Sequence, residues 1–279
     1  MSQITSQWMC RACAVEFPVT IEPPSECPIC RDERQYVPRS GQSWMSLEQL
    51  SAAGHELQIA EAEADLFGIT VVPEVGIGQR ALLLRTSEGN LLWDPVGFVD
   101  DTSAKRVRDL GGAVAIAASH PHMFGAQVAW SRALGGTPVL VAEADKSWVQ
   151  RDDPAITHWS RSREILPGVT LYTIGGHFPG SAVVHWTAGA KGRGVLLAGD
   201  SIFPGPDGTS VSFMRSFPNK IPLSGAVVDR IATTATERPF DRLYGNFDGD
   251  VVETGADAVV RRSADRYISW VRGDFDQLT

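Results

Sequence analysis

Val114-Ala115-Ile116-Ala117-Ala118-Ser119-His120-Pro121-His122 is an apolar run that ends in two histidines one residue apart. A continuous apolar stretch followed at once by polar residues and proline predicts a buried strand that empties into a loop. Two further stretches share the pattern. Gly175-Gly176-His177-Phe178-Pro179-Gly180-Ser181 follows an apolar segment, and Val195-Leu196-Leu197-Ala198-Gly199-Asp200 ends on a carboxylate. In a layered α/β protein, strand ends are where side chains converge on a common site. Three imidazoles and one carboxylate form a donor set for zinc or iron.

Around these stretches strands and helices alternate. The spacing predicts a helix around Leu47 to Leu57, then a hairpin of Ala81 to Thr86 and Leu91 to Asp94 across Ser87-Glu88-Gly89-Asn90 that opens a sheet. Asp101-Thr102-Ser103 caps a helix ending at Gly111-Gly112, Phe124 to Leu134 is helical up to Gly135-Gly136, and Pro138 to Ala142 is a short buried strand. Val169 to Ile174, Ser181 to Trp186 and Val195 to Ala198 form a second run of strands, closed by helices at Ala226 to Thr236 and Ala256 to Val271. Strand-rich stretches interleaved with helices predict two packed sheets with helices outside, a four-layer αββα arrangement. Ser201 to Leu223, rich in glycine and proline, reads as a surface loop near the site and a candidate lid or substrate wall.

All four cysteines fall in the first thirty residues, as Cys10-x2-Cys13 and Cys27-x2-Cys30 with thirteen residues between the pairs. Each pair offers two thiolates to one tetrahedral ion, the pattern of a four-cysteine zinc ribbon. Forty residues bury too little apolar surface to fold alone, so the ion supplies folding free energy to this segment. Residues 1–40 carry four arginines against five carboxylates, which disfavours nucleic acid as the module's partner. The polar link Arg39-Ser40-Gly41-Gln42-Ser43 puts the boundary after residue 40, giving a zinc ribbon over 1–40 and a larger domain over 41–279.

A hydrophobic fraction of 43% and a charged fraction of 21% are ordinary for a globular chain, and a net charge of −8 gives no reason to expect nucleic acid or an anionic membrane as partner. Met1 to Trp8 carries no secretory signature and no apolar run is long enough to span a membrane, so a cytoplasmic location is expected.

In combination these residues resemble the metallo-β-lactamase fold superfamily. Leu92-Trp93-Asp94 is similar to its early strand ending in Asp, His120-Pro121-His122 to its H-x-H motif, Gly176-His177-Phe178-Pro179-Gly180-Ser181 to its GHTPGS segment, and Gly199-Asp200 to its later aspartate. The resemblance runs from about Ala81 to the C-terminus, beside an N-terminal rubredoxin-like ribbon. It implies an αββα sandwich with a metal centre at the sheet edges. Two departures stand out: the family's H-x-H-x-D-H would continue with Asp and His where this chain has Phe124 and Gly125, and the family's final histidine is matched by Asn246. The second-metal ligands are thus missing. One ion is expected, on His120, His122 and His177 with Asp200 able to join, Phe124 filling part of the vacated space, and Asp94 orienting an imidazole.

The chemistry expected of this set is hydrolysis of an ester, thioester or lactone-type small molecule by water activated at a zinc ion. Asp200 would orient that water or take its proton, and Tyr244 and Asn246 would hydrogen-bond the developing oxyanion. Two histidines and a carboxylate also suit Fe2+, and the superfamily's persulfide dioxygenases use positions that correspond to His120, His177 and Asp200. A third reading is a binding protein with a degenerate pocket. His185 is expected in the core, as is Trp130, with His55 and His158 on the surface. Asp248, Asp250 and Glu253 read as a solvated acidic loop. Trp159, Phe203 and Ser210 to Pro222 would shape specificity, with Arg215 or Lys220 meeting a substrate carboxylate. The aromatic-rich loop and the ribbon also offer surfaces for a homodimer.

Overall fold

The strand that ends on Cys10, a strand from between the cysteine pairs and a third from beyond them build a small three-stranded sheet. Its order is Glu16–Thr20, Ser6–Cys10, Trp44–Ser46, both neighbours antiparallel to the central strand. This is a computed structural model, and it describes residues 5–279; residues 1–4, where the expected module begins, lie outside the described residues. The third strand lies beyond residue 40 and beyond the link, so the small sheet is completed by residues of the expected larger domain.

The chain divides into two units, one running to Val141 and resuming over Lys146–Trp159, the other comprising Ala142–Asp145 and Ser160–Thr279. The first unit carries a seven-stranded sheet. Its strands lie side by side as Ile156–Trp159, Val139–Ala142, Ala115–Ala117, Gly89–Trp93, Ala81–Thr86, Leu66–Val72 and Glu56–Glu63. Gly89–Trp93, Ala115–Ala117 and Val139–Ala142 run parallel, and the strands from Glu56 to Trp93 form an antiparallel meander. The expected hairpin is present, but it does not open the sheet, because two strands precede it. The helix expected over Leu47 to Leu57 stops at Ala52, where Gly54 turns with φ +82° and the chain enters the Glu56–Glu63 strand. A capping box between Ser46 and Gln49 starts that helix. Asp100, one residue earlier than expected, caps the Asp101–Asp109 helix by accepting from Ser103 N–H at 2.7 Å.

The core of this unit is one cluster that includes the buried cysteines, Phe17, Leu83, Leu92, Ile116 and Trp130. Trp130 is fully buried and its indole N–H donates to the Val96 carbonyl at 3.1 Å, which answers the polar cost of burying it. Trp159 is a buried residue that ends the Ile156–Trp159 strand.

The second unit carries a six-stranded sheet in the order Ser162–Leu166, Val169–Thr173, Ala182–Trp186, Val195–Leu197, Arg242–Tyr244, Val251–Val252. Val195–Leu197 and Arg242–Tyr244 are parallel, with Leu197 opposite Tyr244, so residues following both strands leave the sheet at the same edge. The helices Gly225–Ala235 and Ala256–Arg272 bury Val228, Ile231, Ala232, Val260 and Ala264 in this unit's core. The stretch expected as a loop, Ser201 to Leu223, folds into two small hairpins, Phe203–Pro204 with Val211–Ser212 and Met214–Ser216 with Ile221–Pro222. Among the described residues no helix is long and apolar enough to cross a membrane.

Candidate metal centres

The four cysteine sulfurs are buried and close without being bonded to one another. Cys10 Sγ lies 3.6 Å from Cys30 Sγ, and Cys13 Sγ lies 3.7 Å from Cys27 Sγ. A disulfide would need about 2.05 Å. Four thiolates about 2.3 Å from one tetrahedral ion would stand roughly 3.8 Å apart, so this spacing fits a tetrathiolate zinc site. Hydrogen bonds from Cys13 first, and from Cys27 and Cys30, hold the Cys10 thiol below its ordinary range. Gln42 adds a donor to Cys10 Sγ at 3.1 Å.

His120 and His122 follow the Ala115–Ala117 strand and are both buried, their ring centroids 5.1 Å apart and nearly perpendicular. The turn that displays them is tied down from the neighbouring strand. The parallel register sets Trp93 opposite Ala117, so Asp94 comes level with the following residues, and its Oδ1 accepts the Ser119 N–H at 2.6 Å. Ser119 Oγ in turn lies 2.9 Å from His120 Nδ1. Asp94 thus holds the backbone of Ser119, whose hydroxyl faces His120; the sequence reading did not single out Ser119, although it stands directly before the motif. A 3-10 turn over Pro121–Met123 then carries the chain to Phe124 and Gly125.

Those two residues occupy the places of the missing ligands and are used structurally. Phe124 is buried in the same cluster as the cysteine module. Gly125 has φ +50°, and a Cβ there would lie 2.0 Å from the Pro95 carbonyl oxygen. A histidine cannot be accommodated at this position without moving the backbone.

In the second unit His177 is fully buried. Its Nδ1 faces the Met214 carbonyl at 3.2 Å; because a carbonyl only accepts, the neutral ring is held in the tautomer with the proton on Nδ1 and the lone pair on Nε2. Nε2 lies 3.6 Å from Asp200 Oδ2. That is too long for a hydrogen bond, but close to the roughly 3.3 Å that separates two ligands about 2.0 Å from one tetrahedral ion. Ser201 Oγ donates to the Gly175 carbonyl at 2.6 Å and accepts the His177 N–H at 3.3 Å, fixing the loop. Gly176 is required at φ +93°, since a Cβ would meet Ile231 Cδ1 at 2.4 Å. Asp145 accepts the Gly180 N–H at 2.8 Å, completing the turn.

One donor atom from each of His120, His122, His177 and Asp200 lies within 4.8 Å of the others, a group able to hold a metal ion. Tyr244 and Asn246 are buried at the end of the strand parallel to Val195–Leu197. His185 is a core residue whose Nε2 donates to the Pro239 carbonyl at 2.9 Å. His158 is exposed, and His55 is half-buried against the Leu50 carbonyl. Of the acidic residues after Asn246, Glu253 pairs with Arg242 at 3.3 Å and Asp248 is exposed. Lys220 is exposed and Arg215 half-buried. The Met214 carbonyl was invisible to sequence reading, because a backbone group carries no residue signature.

No family model matches the sequence. The chain is 42% identical over 263 residues to the uncharacterized protein YmaE of Bacillus subtilis (strain 168), covering 94% of this chain and 95% of that one. The protein belongs to the YmaE family. Its fold is that of the metallo-β-lactamases. The chain is similar to the DIM-1 metallo-β-lactamase, with TM-score 0.55, 14% identity, and 76% of this chain and 97% of that one covered. It is equally similar to VMB-1, with TM-score 0.56, 12% identity and coverages of 77% and 98%. The metallo-β-lactamase FIM-1 of Pseudomonas aeruginosa in its mono-zinc form gives TM-score 0.55, 15% identity and coverages of 75% and 95%. This YmaE-family chain thus combines that fold with a four-cysteine zinc ribbon at its N-terminus.

Proposed function

We propose that the protein is a metal-dependent hydrolase that uses one zinc ion, held by His120, His122, His177 and Asp200, to cleave an ester, thioester or lactone-type small molecule. The observation that carries this reading is the convergence of the four buried donors, with the Met214 carbonyl favouring the His177 tautomer whose Nε2 bears the lone pair. A bound zinc ion supplies Lewis acidity and lowers the pKa of its water to about 7. A single ion is favoured because Gly125 cannot be replaced by a ligand where it stands, and because a protein of the same fold, FIM-1, takes a mono-zinc form.

The chain's own residues divide the remaining work. Asp200 has a second carboxylate oxygen to accept a proton from the attacking water. Tyr244 and Asn246, carried to the same sheet edge as Asp200 by the parallel strands, offer an O–H and an N–H to charge developing on a carbonyl oxygen. Phe217 stands 6.4 Å from the His177 ring, and Phe203 packs on it at 4.7 Å with Phe247 beyond. This half-buried aromatic group suits an apolar acyl portion. Without a second ion to hold a leaving group, substrates whose leaving group departs unaided are favoured. The free cysteines suit a reducing compartment, and we place the protein in the cytoplasm.

The test is a panel of aryl esters, acyl thioesters and lactones assayed with wild type and His122→Ala. The proposal expects turnover of at least one class, reduced at least a hundredfold by the substitution. Turnover untouched by His122→Ala would remove the metal from the mechanism.

A further inference from the structure

We propose that the four-cysteine module is a positioning element for the His120–His122 turn, with Glu16 as the residue through which the two are coupled. The inference rests on the histidines being metal ligands, as proposed above, and all of its contacts lie within the first unit.

Glu16 stands three residues after Cys13 and is paired opposite Met9, so the Cys10–Cys13 knuckle determines where its side chain points. The knuckle is closed by Cys10 N–H to Val15 O at 3.0 Å and Ala14 N–H to Cys10 O at 2.8 Å. From there the carboxylate leaves the module and is buried in the larger fold. It accepts from Arg151 at 2.6 Å, from Gln7 at 2.6 Å, from the Ala129 N–H at 3.3 Å and from the Val128 N–H. Val128 and Ala129 open the helix that follows the histidine turn. The Glu16 N–H also donates to the Gly125 carbonyl at 3.0 Å, three residues after His122.

A second strut comes from the same knuckle. Ala14, at φ +60°, packs so closely on Gly97 that a Cβ there would lie 2.3 Å from its own. Gly97 is three residues beyond Asp94, the carboxylate that holds Ser119. Gly125 closes the arrangement by resting on the Pro95 carbonyl. Both supports of the histidine turn, Asp94 on one side and residues 125–129 on the other, are thus braced by residues 14–16. Four buried thiols with no disulfide hold the knuckle together through their shared ion, so losing that ion loosens both braces together. A hydrophobic contact alone would not need a carboxylate. Four donors converging on one buried acceptor make the link directional, and an arginine charge left without it would be strongly destabilising.

The experiment uses the full chain loaded with metal. An organomercurial takes the cysteine thiols and releases their ion, while hydrogen exchange follows the amides of residues 119–129 and chelator competition reads the affinity of the histidine group. Glu16→Met/Arg151→Met replaces the ion pair by apolar side chains of similar length, a swap that cores often tolerate, whereas Glu16→Gln would strand the arginine. The inference expects mercurial treatment of wild type to speed exchange in 119–129 and to weaken metal binding at the histidines about tenfold. It expects the double variant to keep its cysteine-bound ion, show loosened exchange over residues 125–129 and weaker binding at once, and respond to the mercurial less than wild type does, through the Ala14–Gly97 strut alone. A folded double variant with wild-type exchange and affinity would overturn it, as would a histidine site indifferent to loss of the cysteine-bound ion. If metal content is the same in His120→Ala/His122→Ala as in wild type, it is the functional reading that fails, and exchange in 119–129 still decides the coupling.

Discussion

Asp94 Oδ1 accepts the backbone N–H of Ser119 at 2.6 Å, one residue before the first histidine of the site. The bond joins two parallel strand ends and transmits strand register to an imidazole, through the Ser119 hydroxyl at His120 Nδ1. Asp94 is itself at φ +53°, a conformation that Asn tolerates and Ala does not. Asp94→Ala is expected to cost about 1–3 kcal/mol of stability, because it leaves a buried N–H unsatisfied. It should also lower metal affinity about 10–100-fold. Asp94→Asn, which can still accept the amide, should retain most of both. Urea unfolding and chelator competition on the two variants check this.

Ser201 holds the His177 loop with one oxygen that both donates and accepts. Removing it in Ser201→Ala frees the Gly175 carbonyl and the His177 N–H together, and the expected cost is about 1–2 kcal/mol. The His177 tautomer, set separately by Met214, should persist. Nitrogen-15 chemical shifts of the imidazole in metal-free protein would report it.

Introducing the Asp and His that the resembled H-x-H-x-D-H motif carries should not create a site for a second ion. Phe124→Asp/Gly125→His places a side chain where Pro95 O leaves no space and a buried phenylalanine is lost from the core. We expect a fall of at least about 3 kcal/mol in stability and no added metal. Thermal unfolding and metal analysis of the double variant decide it.

His185 gives the fold an acid sensitivity of its own. Burial holds its imidazole below the ordinary 6.5, outweighing the opposing hydrogen bond to Pro239. Well above 6.5 neither folded nor unfolded chain is protonated there and the contribution is fully present. As pH falls through 6.5 the unfolded chain gains a proton that the folded chain refuses, so stability is lost down to the folded value. His185→Gln, able to donate to Pro239, should flatten this part of the stability–pH curve. Urea midpoints at pH 8 and pH 5.5 measure it.

Sequence reading carried far where periodicity and motif coincide. The hairpin of Ala81–Thr86 and Gly89–Trp93, the strand before His120 and both closing helices follow from apolar runs with glycine or capping residues at their ends. It failed at Glu56–Glu63, whose alternating Glu and Ala residues have low strand propensity and are held in the sheet by pairing with Leu66–Val72. The donor residues of the site were legible as residue types at strand ends. Their supports were not, since Ser119, Glu16 and the Met214 carbonyl act through contacts distant in sequence or through backbone atoms.

The most direct measurement is the metal content of protein purified anaerobically without added metal, with His120→Ala/His122→Ala beside it. The account predicts about two zinc ions per chain in wild type and about one in the variant, one for the cysteines and one for the histidine group. One zinc and one iron, with only the iron lost in the variant, would contradict the zinc hydrolase and turn the chemistry to oxygen. A single zinc unaffected by the substitutions would contradict a metal at the histidines altogether.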